Sequence, residues 1–180
     1  MNIWHSVSKK RIKPESFYAC IEIPARSSAK YELDKESGAL ILDRVLYTST
    51  HYPHNYGFIP RTLSQDGDPL DVLVICSESI VPLALVKAYP IGVLEMEDNG
   101  FNDEKIIAVA AHDPIYRGYH DISELPAHVH EEIRHFFTVY KELELGKVTS
   151  VHEIKGREAA IEAIKSDIAA YDEKFPDNQK

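Results

Sequence analysis

The sequence has little of several features that mark particular classes of protein. It has only 2 cysteines in 180 residues, too few for the disulfide framework of a small secreted domain. No apolar run approaches the ~20 residues that a membrane-spanning helix needs. The first residues contain no apolar segment typical of a secretory signal. We therefore expect a soluble cytoplasmic protein, with reduced and buried thiols at Cys20 and Cys76.

Positive charge is also scarce. Lys and Arg number 20 against 29 Asp and Glu, which gives a net charge of −9 at pH 7. Nucleic acids and anionic membranes are bound by cationic surfaces, so we expect neither as a partner. A small phosphate compound stays possible, because an acidic pocket can bind metal ions that in turn bind phosphate.

Short apolar runs separated by turn residues occupy the first two-thirds of the chain. They are typical of the strands of a barrel or sandwich. We expect a mainly β (α+β) fold in a single domain over residues 1–180, with a barrel at roughly 15–112. The strands are predicted at 17–23, 31–33, 39–46, 71–76, 83–94 and 106–111.

The last third of the chain has helical periodicity. Apolar residues from Val129 to Leu143 recur on one helical face, which predicts a helix at roughly 126–145. A similar pattern that begins at Ile161 predicts a second helix at roughly 157–172.

The stretch Asp66-Gly67-Asp68-Pro69-Leu70-Asp71 is the most informative part of the sequence. It places three carboxylates immediately before a very apolar strand. Carboxylate oxygens are the ligands that hard cations such as Mg²⁺ prefer. A solvated acidic turn explains the composition about equally well, because Asp, Gly and Pro all form turns. An EF-hand calcium loop is excluded, since its sixth position would be Asp71 instead of Gly.

A second acidic group lies between two predicted strands and includes Glu97, Asp98 and Asp103. Two acidic loops that meet at one end of a barrel would form a site for several metal ions. Asp103 and Lys105 are two residues apart, so on a strand they would share a face. A set of cationic and aromatic side chains is scattered along the chain, and when taken singly each has an ordinary explanation, which for the tyrosines is packing. They are Lys30, Arg44, Tyr52, Tyr56, Tyr140 and Lys141.

Taken together, these residues resemble the family I soluble inorganic pyrophosphatases of the bacterial type. The resemblance covers most of residues 15–147, and the motifs follow in the right order. It implies a five-stranded OB-type β-barrel with two α-helices in the C-terminal half. It also implies Mg²⁺-dependent hydrolysis of pyrophosphate to two phosphates by a metal-activated water. Its main motifs are Ile21-Glu22-Ile23-Pro24, Lys30-Tyr31-Glu32, Tyr52-Pro53, Asn55-Tyr56-Gly57, Asp66 to Val72 and His135-Phe136-Phe137.

The resemblance further implies a role for individual residues. Asp68 is implied as the catalytic residue that takes a proton from the attacking water, and Glu22 and Tyr52 as part of the surround of the acidic cluster. The implied ligands of several Mg²⁺ ions, for which Mn²⁺ or Zn²⁺ could substitute, are Glu32, Asp66, Asp71, Asp98 and Asp103. The implied substrate-binding groups are Lys30, Arg44, Tyr56, Lys105, Tyr140 and Lys141.

Two other functions stay open beside pyrophosphate hydrolysis. One is Mg²⁺-dependent hydrolysis of another phosphoanhydride. The other is a non-catalytic OB-fold binding module, which would need a basic face with aromatic side chains. The resemblance also implies a homo-hexamer in which the helix with His135 contributes to subunit contacts. Val139 stands where bacterial relatives often have a second His, so we expect a hexamer that is less sensitive to acid.

Overall fold

The computed structural model describes residues 2–176. These residues form nine strands and three α-helices, with short 3-10 turns at Lys9–Arg11 and Ile122–Glu124. The helices are α1 (Ile3–Ser6), α2 (Ala127–Val139) and α3 (Arg157–Lys174). The strands are β1 (Phe17–Ile23), β2 (Ala29–Leu33), β3 (Leu40–Val45), β4 (Asn55–Phe58), β5 (Asp71–Ile75), β6 (Leu85–Asp98), β7 (Phe101–Asn102), β8 (Lys105–Ala110) and β9 (Thr149–Gly156).

Five strands close into a ring in the order β1-β4-β5-β8-β6, and β6 pairs back onto β1. This is the OB-like five-stranded barrel that the resemblance implied. The pairing of β5 with β8 is parallel, and Asp71 lies opposite Lys105 at its start. The other pairs in the ring are antiparallel. The parallel pair therefore brings the first residues of two strands to the same end of the barrel.

The apolar run of β5 is continuous because both of its faces are covered. Val72 and Val74 belong to a buried cluster that includes Ile164 of α3. Leu73 and Ile75 belong to a second cluster, with the aromatic residues of α2. A strand covered on both sides needs no alternation of polar residues, which is typical of parallel pairs.

Gly57 lies in β4, packed closely against the backbone of β1. Its partner in the register is Ile21. A Cβ atom at position 57 would lie 1.9 Å from the carbonyl oxygen of Cys20. Only glycine leaves room for this approach, so the pairing of β1 with β4 depends on the absence of a side chain at position 57.

Several predicted elements are confirmed, and others are corrected. The strands predicted at 17–23 and 71–76 and the helix predicted at 157–172 are present with nearly the expected bounds. The helix predicted to extend to about residue 145 ends at Val139, with Tyr140 as its cap. Leu143 is 63% exposed, so its assignment to the buried face was wrong. Turn residues follow, and Gly146, with a φ of 75°, lies in the connection to β9.

The N-terminal segment packs beside the acidic loop that precedes β5. The indole Nε1 of Trp4 donates to the carbonyl oxygen of Thr62 at 2.9 Å. The amide of Arg61 donates to the carbonyl oxygen of Trp4 at 3.0 Å. The indole also lies 6.3 Å from the ring of Tyr171 and 5.5 Å from that of Phe175. Trp4 therefore contacts both the stretch before the acidic loop and the end of α3.

Candidate active site

One cavity of about 420 Å³ is lined by all the residues implied for catalysis, metal binding, substrate binding or the surround of the acidic cluster. Eight carboxylates and six Lys or Arg side chains line it. Sequence reasoning missed Asp43, Lys35 and Lys147, which lie at exposed hairpin and turn positions and look like ordinary solvated charges there. The expected residues in the lining are Glu22, Lys30, Glu32, Arg44, Tyr52, Tyr56, Asp66, Asp68, Asp71, Asp98, Asp103, Lys105, Tyr140 and Lys141.

Lys105 lies at the centre of the charge arrangement and is only 3% exposed. Its ammonium donates to the carboxylates of Asp71 and Asp103. Burial alone would lower the pKa of Lys105, but the two carboxylates outweigh burial and raise it. The side chain therefore stays charged, and the parallel register of β5 and β8 places it beside Asp71.

The acidic loop places Asp66 and Asp68 at the mouth of the cavity. Gly67 has a φ of 88°, which few other residues adopt without strain. The amide of Asp68 donates to the carboxylate of Asp66 at 2.9 Å. Partial burial raises the pKa of Asp66, and the charge of Asp71 raises it further. The side chain of Asp68 is 52% exposed and forms an ion pair with Lys35.

The hairpin of β2 and β3 supplies a second set of charges. Lys30 forms ion pairs with Glu32 and Asp43, and Arg44 lies opposite Lys30 in the register. The guanidinium of Arg44 pairs with Asp43, and its Nε donates to Glu144 at 2.8 Å. The hairpin therefore directs two cations into the cavity.

The end of α2 and the tip of β6 complete the lining. Lys141 donates to Asp98 at 2.6 Å, just past the end of the helix. Tyr52, Tyr56 and Tyr140 are buried beside these charges. Burial raises their pKa values well above the usual range of tyrosine, so they are neutral hydroxyl donors at physiological pH.

Glu22 is a buried carboxyl at the inner edge of the cavity. The amide of Leu33 donates to its Oε1 at 2.7 Å. Burial raises the pKa of Glu22 to about 8, and the nearby charge of Asp71 contributes to this rise. In the metal-free protein Glu22 therefore binds a proton over most of the physiological range.

This shift predicts a pH dependence of stability. The unfolded chain loses the Glu22 proton near pH 4.5, whereas the folded metal-free protein keeps it up to about pH 8. Because the folded state binds more protons in this window, its stability falls as pH rises from about 4.5 to 8. We expect Glu22→Gln, which keeps the acceptor for Leu33, to remove part of this slope. Urea unfolding of both metal-free proteins at pH 5 and pH 8 measures the difference, and parallel stability curves would contradict it.

The donor set fits hard divalent ions. Asp66 and Asp103 both have pKa values raised first by burial, and the charge of Asp71 raises both further. A divalent cation would relieve this repulsion, and carboxylate oxygen is the ligand it prefers. Within residues 2–176, no three His, Cys, Asp or Glu side chains are arranged as a ready-made metal site. Lys105 lies between Asp71 and Asp103, so metal binding requires these carboxylates to change partners.

A cavity that is lined by both carboxylates and cations, at one end of a barrel, is typical of proteins that bind metal ions together with a phosphate compound. Comparison with known proteins agrees with this class. The family model described as inorganic pyrophosphatase matches residues 19–172. The chain belongs to the inorganic pyrophosphatase family, a family that uses divalent metal ions.

Individual relatives show how far the similarity extends. The chain is 47% identical over 172 residues to soluble inorganic pyrophosphatase 2 of Chlamydomonas reinhardtii, covering 96% of this chain and 89% of the relative. It is 49% identical over 160 residues to the inorganic pyrophosphatase of Aquifex pyrophilus, covering 88% and 90%. The solved structure of the Helicobacter pylori inorganic pyrophosphatase superposes with a TM-score of 0.86 at 45% identity, covering 89% of this chain and 95% of that one.

Proposed function

We propose that this chain catalyses the Mg²⁺-dependent hydrolysis of inorganic pyrophosphate to two phosphates. The observation that carries the proposal is the single cavity in which the carboxylates, cations and tyrosine hydroxyls converge. Family membership supports the same reaction, because the relatives named above are inorganic pyrophosphatases.

The carboxylates divide into two roles. Asp66, Asp71 and Asp103 hold the central ions, while Glu32 and Asp98 hold further ions at the rim. When bound, Mg²⁺ lowers the pKa of a water molecule and supplies positive charge to the reacting phosphate. Asp68 lies on the same loop as Asp66 with its side chain half exposed to the cavity. It accepts the proton of the attacking water as general base.

The cations and hydroxyls hold the substrate. Lys30 is paired with Glu32 and Lys141 with Asp98, so metal binding by these two carboxylates would leave both ammonium groups available for phosphate oxygens. Arg44, which is paired with Asp43, would exchange that partner for the substrate. Lys105 would likewise exchange Asp71 and Asp103 for phosphate oxygens. Tyr56 and Tyr140 keep their protons and donate to phosphate oxygens. The groups that stabilise the developing negative charge on the leaving phosphate are thus present before the reaction begins.

Glu22 and Tyr52 form the inner wall behind the ligands. Glu22 is 8% exposed and Tyr52 is 1% exposed. Their burial limits the access of water to the ligands. The charge of Asp71 contributes, after burial, to the raised pKa of Glu22.

Release of phosphate from pyrophosphate tests the proposed function. The assay compares reactions without added metal and with Mg²⁺, Mn²⁺ or Zn²⁺, and it uses ATP as a second substrate. We expect activity that requires metal, is highest with Mg²⁺ and is much lower on ATP. Equal activity on ATP would favour a broader phosphoanhydride hydrolase, and no activity on either substrate would refute the enzyme.

Assembly as a homo-hexamer in the cytoplasm is part of the same proposal. Cys20 and Cys76 are both free thiols, and Cys20 is buried as expected whereas Cys76 is only partly buried. Apolar side chains that are more than half exposed on and beside β3 support contacts with further subunits; they are Ile41, Leu42, Val45 and Tyr47. Light scattering from pH 5 to pH 8 measures the assembly. A monomer at every pH would refute it, and sharp dissociation near pH 6 would refute the role given to Val139.

A further inference from the structure

The acidic loop that carries Asp66 and Asp68 is anchored at its two ends. At its base, the hydroxyl of Thr62 donates to the carbonyl oxygen of Ile59 at 2.6 Å and accepts from the amide of Leu70 at 2.8 Å. The residues between, 65–68, are all exposed. Their positions therefore depend on contacts made within the loop and behind it.

Behind the loop lies a second cavity of about 380 Å³ instead of packed side chains. Ser64 and Gln65 line it from the loop side. Ala159, Ala163 and Asp167 line it from α3. Since a cavity offers few dispersion contacts, the position of the loop is stabilised more by hydrogen bonds than by packing.

Asp167 provides those hydrogen bonds. Its carboxylate accepts from the hydroxyl of Ser64, and its backbone carbonyl accepts from the amide of Leu63 at 2.9 Å. Ser64 in turn closes the loop. Its amide donates to the carbonyl oxygen of Asp68 at 2.8 Å, and its own carbonyl accepts from the amide of Gly67 at 3.0 Å. One side-chain hydrogen bond and three backbone hydrogen bonds thus connect α3 with the loop, and only the side-chain bond depends on the identity of residue 167.

We propose that Asp167 is a positioning residue, which holds Ser64 and thereby sets the positions of Asp66 and Asp68 at the cavity mouth. The proposal rests on the proposed function, since it assigns α3 a part in the same metal-dependent site. Groups that orient metal ligands through hydrogen bonds contribute to metal affinity, and their loss typically lowers that affinity about 10–100-fold.

The protonation of Asp167 agrees with an acceptor role. Burial raises the pKa of Asp167 to about 6, and the hydroxyl of Ser64 opposes this rise. The carboxylate is therefore mostly ionised at pH 7.5, and the hydroxyl of Ser64 is the donor. An asparagine would keep an acceptor oxygen at this place, whereas an alanine would not.

Binding of Mn²⁺ in the absence of substrate, followed by electron paramagnetic resonance at pH 7.5, tests the proposal. We expect Asp167→Ala and Ser64→Ala each to weaken Mn²⁺ binding about tenfold. Asp167→Asn should retain most of the affinity. Asp172→Ala is the matched control, because Asp172 lies on the same helix but accepts from Lys9 at 2.6 Å, away from the loop. The control should bind Mn²⁺ as the wild type does.

Two further measurements separate positioning from a general loss of structure. The double variant Asp167→Ala/Ser64→Ala should bind Mn²⁺ no more weakly than either single variant, because both remove the same hydrogen bond. In the activity assay, the variants should need about tenfold more Mg²⁺ for half-maximal rate and recover kcat at saturating Mg²⁺. If Asp167→Ala does not fold, Ser64→Ala still removes the bond without altering the helix.

Unchanged Mn²⁺ affinity in a folded Ser64→Ala variant would overturn the proposal, and so would an equal loss in the Asp172→Ala control. An inactive wild type that binds Mn²⁺ would refute the proposed function alone, because the binding measurement uses no substrate. The two failures are therefore distinguishable.

Discussion

Asp68→Asn is expected to lower kcat by about 10²–10⁴-fold while the protein stays folded and binds metal. The substitution keeps the size of the side chain and removes its ability to accept a proton. Asp68 takes no part in the barrel pairing, and its side chain is 52% exposed. Asp66, Asp71 and Asp103, the proposed central ligands, are untouched. Steady-state hydrolysis of pyrophosphate at saturating Mg²⁺, with Mn²⁺ binding measured in parallel, gives both quantities.

Lys35→Ala is the control for this variant. Lys35 forms an ion pair with Asp68, so its removal abolishes the same pair but leaves the carboxylate in place. We expect a much smaller change in kcat from Lys35→Ala than from Asp68→Asn. Wild-type activity of Asp68→Asn at neutral pH would show that another group accepts the proton.

Gly57→Ala is expected to destabilise the protein by at least about 4 kcal/mol, a loss in the range of severe core substitutions. The added Cβ would lie 1.9 Å from the carbonyl oxygen of Cys20 and 2.9 Å from the Cα of Ile21. Both atoms belong to backbone that is paired in the barrel, so neither can move without breaking the pairing of β1 with β4. Such a loss can exceed the stability of many domains, and we expect much of the variant to be unfolded.

Gly118→Ala provides the comparison, because a Cβ at position 118 meets no atom within 4 Å. We expect its free energy of unfolding to stay within about 0.5 kcal/mol of the wild type. Urea denaturation followed by circular dichroism compares the three proteins. A Gly57→Ala variant as stable as Gly118→Ala would mean that β1 and β4 can separate at little cost.

The parts of the fold that sequence reasoning found are those with a strong local pattern. β5 is a continuous apolar run after a Gly/Pro turn, and α3 has clear helical periodicity. No strand is among the predictions at β4, because its pairing with β1 depends on a glycine that fits against that strand and not on an alternating pattern. β9 is a partly exposed strand with charged residues, and its pairing with β6 is visible only in three dimensions.

The candidate site divides in the same way. Asp66, Asp68 and Asp71 are close in sequence, so a local motif could reveal them. The contact of Lys105 with Asp71 depends on the parallel register of two strands, which no local pattern specifies. Asp167 contacts Ser64 across 103 residues of sequence, and on a helix surface it looks like an ordinary solvated acid. Partners brought together by tertiary packing were therefore the ones missed.

Trp4 gives the protein a built-in optical probe. The sequence contains 1 tryptophan, and its indole lines the cavity while its Nε1 donates to Thr62 at the base of the acidic loop. The ammonium of Lys35 lies 5.8 Å from the ring, so movement of this charge alters the electric field across the chromophore. Fluorescence excited at wavelengths that tryptophan absorbs and tyrosine does not therefore comes from Trp4 alone, next to the loop and the cavity mouth. Stopped-flow fluorescence can follow the arrival of ions and substrate there without any added label.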